Sequence, residues 1–124
     1  MAMTNYRQQL GLKGERLALE FLLSLGCLLV EQRFRIQEGE ADLIVLDHEQ
    51  LVFVEVKTRT SLNGRFGAPI ESITPQKVRR MQRVALHFLD GYNRIVDFRI
   101  DVIGLTLAPD GALINLQHLR DITP

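Results

Sequence analysis

Four charged residues, Glu40, Asp42, Glu55 and Lys57, sit inside the otherwise apolar stretch "GEADLIVLDHEQLVFVEVKTR", residues 39 to 59. Charges inside apolar strands are costly unless they are paired or hold an ion. Two short strands, 40–46 and 51–58, joined at "DHEQ", make this stretch a β-hairpin. A turn centred between His48 and Glu49 pairs Leu46 with Leu51, so paired residue numbers sum to 97. Asp42 then faces Glu55 and Glu40 faces Lys57. Opposed residues share a face of the sheet, as do residues two apart along a strand.

All four charges therefore converge on one patch, while Val52, Val54 and Val56 fill the other face. A slip of one residue would undo this. Opposed Asp and Glu repel, and a divalent cation relieves that repulsion because hard oxygen donors suit Mg2+ or Mn2+. An acidic pair beside a lysine is an arrangement for phosphodiester hydrolysis. The metal polarises the phosphate and activates water, and the lysine steadies the developing charge. The plainer alternative is a solvated sheet face with cross-strand ion pairs, in which Glu40 partners Lys57.

The elements that must position this patch are legible around it. Residues 5–25 predict a helix with Leu10, Gly14, Leu17, Ala18, Phe21, Leu22 and Leu25 on one face and Gly26 as its stop. "CLLVEQRFRI" predicts a strand, followed by a turn at Glu38 and Gly39. Residues 60–73, with Asn63-Gly64, Gly67 and Pro69, predict a loop. Thr74-Pro75 opens a second helix with Val78, Met81, Ala85, Phe88 and Leu89 inward and Gly91 at its end. "DFRIDVIGLTL" and "ALINLQHL" predict two further strands around Pro109, Asp110 and Gly111. The order α-β-β-β-α-β-β describes one α/β domain over 1–124, a mixed sheet flanked by helices.

The chain has 124 residues, 46% hydrophobic and 24% charged, which excludes disorder and fibrous classes. Net charge is zero, yet residues 57–83 carry seven basic residues against Glu71 alone. That segment is +6 and the remainder −6, an asymmetry that points to an anionic partner. Gln76, Lys77, Arg79, Arg80 and Arg83 lie off the inward stripe of the second helix, where they could grip phosphates without reading sequence. A plain solubilising face is the competing explanation.

The single Cys27 excludes an intramolecular disulfide and reads as a buried thiol in a reducing compartment. "FLLSLGCLLV" is too short to span a bilayer, and Glu15 and Glu20 spoil it as a signal peptide. A cytoplasmic protein is expected. His48, His87 and His118 are scattered, and Asp101, in mid-strand, is expected to be structural.

Asp42, followed after twelve residues by Glu55-Val56-Lys57, resembles the D…ExK signature of the restriction-endonuclease-like superfamily. "GLKGERLALEFL" is similar to the first helix of archaeal Holliday junction resolvases. Gly11, Gly14 and Glu15, then Gly39 to Ile44, then Val52 to Arg59, together resemble the small bacterial YraN family, a nuclease-like group. The likeness spans roughly residues 8–105, and the combined motif is more specific than any of its parts. It implies Glu15, Asp42 and Glu55 as metal-site carboxylates, with the Val56 carbonyl beside them, and Lys57 as the catalytic lysine. It further implies Mg2+ or Mn2+ as cofactor and DNA as substrate, branched or otherwise structured. Arg59, Lys77, Arg79, Arg80 and Arg83 would then contact the nucleic acid, with Glu40 and Gln76 in support. Ala41 replaces the proline usual before the motif aspartate. Junction-cleaving relatives are dimers, so a homodimer stays open. The alternative is a binding or protein-interaction module that keeps the nuclease scaffold without turnover.

Overall fold

A computed structural model describes residues 5–61 and 73–123. The first helix, α1 (Tyr6–Ser24), begins with a capping box: Asn5 Oδ1 accepts from Gln8 N at 2.8 Å, and Gln8 Oε1 accepts from Asn5 N at 3.3 Å. Its buried positions Gly14, Ala18 and Leu22 follow the four-residue repeat of one helix face. Gly26, at φ 92, turns the chain after the helix. Leu25 was expected to face the core but is 53% exposed, because it caps the helix beyond the last inward-facing turn.

Strands β1 (Leu28–Ile36), β2 (Gly39–Asp47) and β3 (Gln50–Thr60) form an antiparallel meander. The second helix, α2 (Pro75–Asp90), follows, capped by Thr74 with Pro75 as its first residue. Strands β4 (Asp97–Leu107) and β5 (Leu113–Leu119) complete a single sheet in the order β1-β2-β3-β4-β5. Only β3 and β4 run parallel, and α2 makes the crossover that such a connection requires. The structure is thus the expected α/β arrangement, with a mixed five-stranded sheet and the element order α-β-β-β-α-β-β.

The two helices cover opposite faces. Ala18 and Leu22 pack with Leu43, Val45, Val52 and Val54, whereas Met81, Val84 and Ala85 pack with Ile44, Leu51 and Phe53. Consecutive residues of β3 alternate between these two cores, as strand geometry demands. Central strands covered on both sides read as continuous apolar runs, which explains "LVFV" and "IDVIGLTL". Each fully buried side chain, such as Phe53 or Ile100, contributes about 1.5–3 kcal/mol of burial free energy.

α1 is seated by a close approach, since a Cβ on Gly14 would overlap Thr58 Oγ1. Cys27 is buried, and burial raises the pKa of its thiol. Most of the loop expected over 60–73 lies outside the described residues, including Asn63 to Pro69 and the charges of Arg65 and Glu71. At its start, Ser61 N donates to Leu107 O at 2.8 Å. No helix among the described residues is long and apolar enough to cross a membrane.

Candidate active site

The hairpin register follows the arithmetic derived from its turn. Leu46 pairs with Leu51, Val45 with Val52, Ile44 with Phe53 and Leu43 with Val54, every pair summing to 97. The ladder ends there, one step short of Asp42 and Glu55. At that point Asp42 Oδ2 accepts from the Val56 backbone N–H at 2.7 Å. Asp42's neighbours Ala41 and Leu43 belong to opposite cores, Ala41 on the α2 side and Leu43 on the α1 side. Regular alternation would place both on one face. The carboxylate of Asp42 therefore stands where a ladder partner would be, at the point where the strands part.

Beyond that point the hairpin opens into a cleft of about 320 Å³ on the α2 side. Glu40, Asp42, Glu55 and Lys57 all line it, joined by Lys77 and Arg80 from α2, over a floor of Met81 and Val84. The expected convergence of the four hairpin charges is present. Their pairing differs from the solvated-face alternative: Lys57 Nζ meets Glu55 Oε1 at 3.2 Å, two residues away on the same strand. Glu40 Oε2 is instead held by Arg35 Nη2 at 2.9 Å. The β1–β2 register places Arg35 directly opposite Glu40.

Burial raises the Asp42 pKa to about 7, against the hydrogen bond from Val56, and the carboxylates of Glu55, Glu15 and Glu40 push it further in the same direction. Asp42 is thus the point on which the negative charge of three elements is focused. An acid in this position holds its proton near neutral pH unless a cation compensates it.

Glu15 approaches from the other side of the hairpin. It lines a second cleft with Val56, Thr58 and Arg59, and Arg33 Nε holds its Oε1 at 3.0 Å. Arg33 occupies the left-handed region at φ 53, within β1 just after a bulge between Leu29 and Glu31. Glu15 is near enough to act on the charge of Asp42. Among the described residues, no three His, Cys, Asp or Glu side chains close into a metal-binding group.

The basic residues of α2 divide by helical position. Lys77 and Arg80, three apart, share the cleft-facing side. Arg79 lines a separate hollow with Val78 and Leu119, while Gln76 and Arg83 are exposed and do not line the cleft. Arg59 lies across the hairpin beside Glu15. Sequence reasoning did not single out Arg33 and Arg35. The turn falls at Gln37 and Glu38, one residue earlier than the expected Glu38 and Gly39, because Gly39 already pairs with Ile36 in the ladder; this shifted register sets Arg35 against Glu40.

Asp101, expected to be structural, is fully buried. It accepts from Arg99 Nε at 3.0 Å and Asp121 N at 2.9 Å, and its Oδ2 lies 2.8 Å from His118 Nε2. Arg99 also reaches Asp47 at 3.0 Å and Gln50 at 2.9 Å. This network gathers toward the hairpin-turn end of the sheet, through Asp47 and Gln50, and reaches as far as Asp101, level with Val54.

Residues 14–105 match the model of the uncharacterised protein family UPF0102. A UPF0102 protein of Dictyoglomus turgidum is 34% identical, over 90% of this chain and 94% of the relative. One from Nocardioides is 39% identical over 94% and 92%, and one from Mycobacterium tuberculosis is 40% identical over 96% and 95%.

Proposed function

The chain belongs to the uncharacterised protein family UPF0102, and from that footing we propose that it is a metal-dependent nuclease of restriction-endonuclease-like fold. Its substrate on this reading is DNA, branched or otherwise structured, and its reaction is phosphodiester hydrolysis. The observation that carries the reading is Asp42, buried among the carboxylates of Glu55, Glu15 and Glu40 where the hairpin strands part, with Lys57 in the same cleft.

The donor set suits a hard divalent cation. Asp42 and Glu55 are anionic oxygen donors, and the Val56 carbonyl lies on the same strand segment whose amide already fixes Asp42. The upward shift of Asp42 marks a charge that a cation would compensate. These residues would hold Mg2+ or Mn2+, and Glu15 would join them on releasing Arg33. When bound, such an ion polarises a phosphoryl oxygen and lowers the pKa of water.

The chain's own residues supply the rest. Val56 N–H fixes the orientation of Asp42. Lys57, now against Glu55, would turn to the phosphate and steady the charge that develops there. Lys77 and Arg80 would hold the backbone over the carboxylates, and Met81 and Val84 keep the floor of the cleft apolar.

Incubation with Mg2+ or Mn2+ and a panel of branched, single-stranded and duplex DNAs tests the reading. Cleavage is expected to fall by two orders of magnitude or more, roughly the loss of one preorganised charge, in Glu55→Gln and Lys57→Ala. Cleavage that persists in both variants, or none in the parent protein, would refute it.

A second reading is a nucleic-acid-binding or protein-interaction module without turnover. The observation favouring it is that Glu15 is held by Arg33 and no three-ligand metal group is assembled among the described residues. DNA binding that is unchanged in Asp42→Ala, with no cleavage, would select it.

A further inference from the structure

A second cleft opens on the α1 side of the hairpin. It encloses about 480 Å³ and is lined by Arg7 from the first turn of α1 and by Arg59 from the end of β3. Thr58 and Thr60 add hydroxyl groups, with Tyr6 Oη hydrogen-bonded to Thr60 Oγ1 at 3.0 Å. Leu10 and Gly11 form its helical wall. One acid, Glu15, is present, and Arg33 already compensates it at 3.0 Å. The cleft is therefore lined by two arginines and two threonines, with its one acid compensated, a composition suited to a phosphate group.

Its position relative to the carboxylate cleft is fixed by β3. Glu55 and Lys57 line one cleft, and Val56, Thr58, Arg59 and Thr60 line the other. From Glu55 to Arg59 the strand advances about 13 Å. That matches the axial rise of roughly four nucleotides. Arg59 shares the strand parity of Glu55 and Lys57 yet borders the α1-side cleft, so it links the two.

We infer that the Arg7–Arg59 cleft is a second phosphodiester-binding subsite, which holds the nucleic-acid backbone on the α1 side while Lys77 and Arg80 hold it on the α2 side. This rests on the proposed nucleic-acid reading. The backbone then runs over the parted end of the hairpin, with Asp42 and Glu55 between the two grips. Neither grip reads bases, so the subsite adds affinity and register without sequence preference.

Fluorescence anisotropy with a labelled duplex of about 20 base pairs, in EDTA and across a salt series, tests the subsite without any cleavage step. Each phosphate contact contributes about 0.9 to the slope of log affinity against log salt. Arg7→Ala should lower the slope by that amount, and Arg7→Ala with Arg59→Ala by about twice it. Arg94→Ala removes an exposed arginine that borders a different hollow, among Leu46, His48 and Glu49, and should leave the slope unchanged.

Gly11→Glu gives a variant whose folding is not in question. A Cβ at Gly11 meets nothing within 4 Å, and Gly to a better helix former favours the helix. It should weaken duplex binding where Gly11→Gln does not. Slopes for Arg7→Ala and Arg94→Ala that agree would overturn the subsite, while a slope that still falls in Lys77→Ala keeps the nucleic-acid reading. Absence of duplex binding by the parent protein overturns both. Loss of cleavage in Glu55→Gln concerns the nuclease reading alone and leaves these slopes untouched.

Discussion

In the network that gathers toward the hairpin-turn end of the sheet, Asp101, fully buried, is met by Arg99, His118 and the amide of Asp121. Burial alone would raise its pKa, but those partners outweigh it and hold the carboxyl below its usual range. Asp47 is likewise lowered, by His48 and by Arg99 against the effect of burial. At the other end Asp42, five residues before Asp47 on the same strand, is raised to about 7 by burial and by the carboxylates of Glu55, Glu15 and Glu40. Both ends place acids in an apolar sheet. The difference is the company: cations close the first set and leave it chemically quiet, whereas like charges crowd the second and leave it ready for a cation. Burial of a carboxylate is therefore not the mark of a site. Burial among other carboxylates, beside an open cleft, is the more telling feature.

Removing a partner at the quiet end should have the larger effect on stability. Asp101→Ala leaves Arg99 and His118 facing a buried gap, and breaking such a network costs about 3–5 kcal/mol. Urea denaturation should show a lower midpoint at an unchanged slope. A change below about 1 kcal/mol would mean that the two ends do not differ as described.

The same experiment at the cleft end should change sign. The folded-state pKa of Asp42, about 7, lies above the ordinary carboxyl value near 3.9. Between those values the folded protein holds more protons than the unfolded chain, so this group's contribution falls as pH rises through that window. Asp42→Asn keeps the acceptor for Val56 N–H and removes the charge. It should stabilise the protein by about 2–4 kcal/mol at pH 8 and by almost nothing at pH 4. A destabilised variant at pH 8 would contradict the crowding of charge at this end.

The smallest effect sharpens the comparison within the quiet network itself. Arg120 reaches Asp47 at 3.6 Å, but its side chain is 62% exposed. Arg120→Ala should cost no more than about 1 kcal/mol, because an exposed pair exchanges its partner for water. A loss as large as that of Asp101→Ala would show that Arg120, rather than Arg99, closes the set.

Much of the cleft was legible because its logic is local. One turn, His48-Glu49, fixes the register, and the register brings Asp42, Glu55 and Lys57 together. Helix ends were readable at Thr74, Pro75, Gly26 and Gly91, whose backbone chemistry marks boundaries. The quiet network was not readable as a network. Its members come from β2, β3, β4 and β5, and the parallel pairing of β3 with β4 that aligns Arg99 with Val52 depends on tertiary packing. The departure at Asp42 was also hidden, since a side chain that replaces a ladder partner leaves no trace in period-two alternation. Arg33 was hidden for a similar reason, because a bulge and a left-handed residue in an edge strand alter where β1 directs its charges.

Carboxyl carbon NMR titration of Asp42 in the metal-free protein, repeated with Mg2+, addresses the crowded acid most directly. The expected midpoint is near pH 7 without metal and well below it with Mg2+, while Asp101 titrates below the usual carboxyl range in both. An Asp42 midpoint near 4 without metal, unmoved by Mg2+, would contradict the proposed metal-binding site.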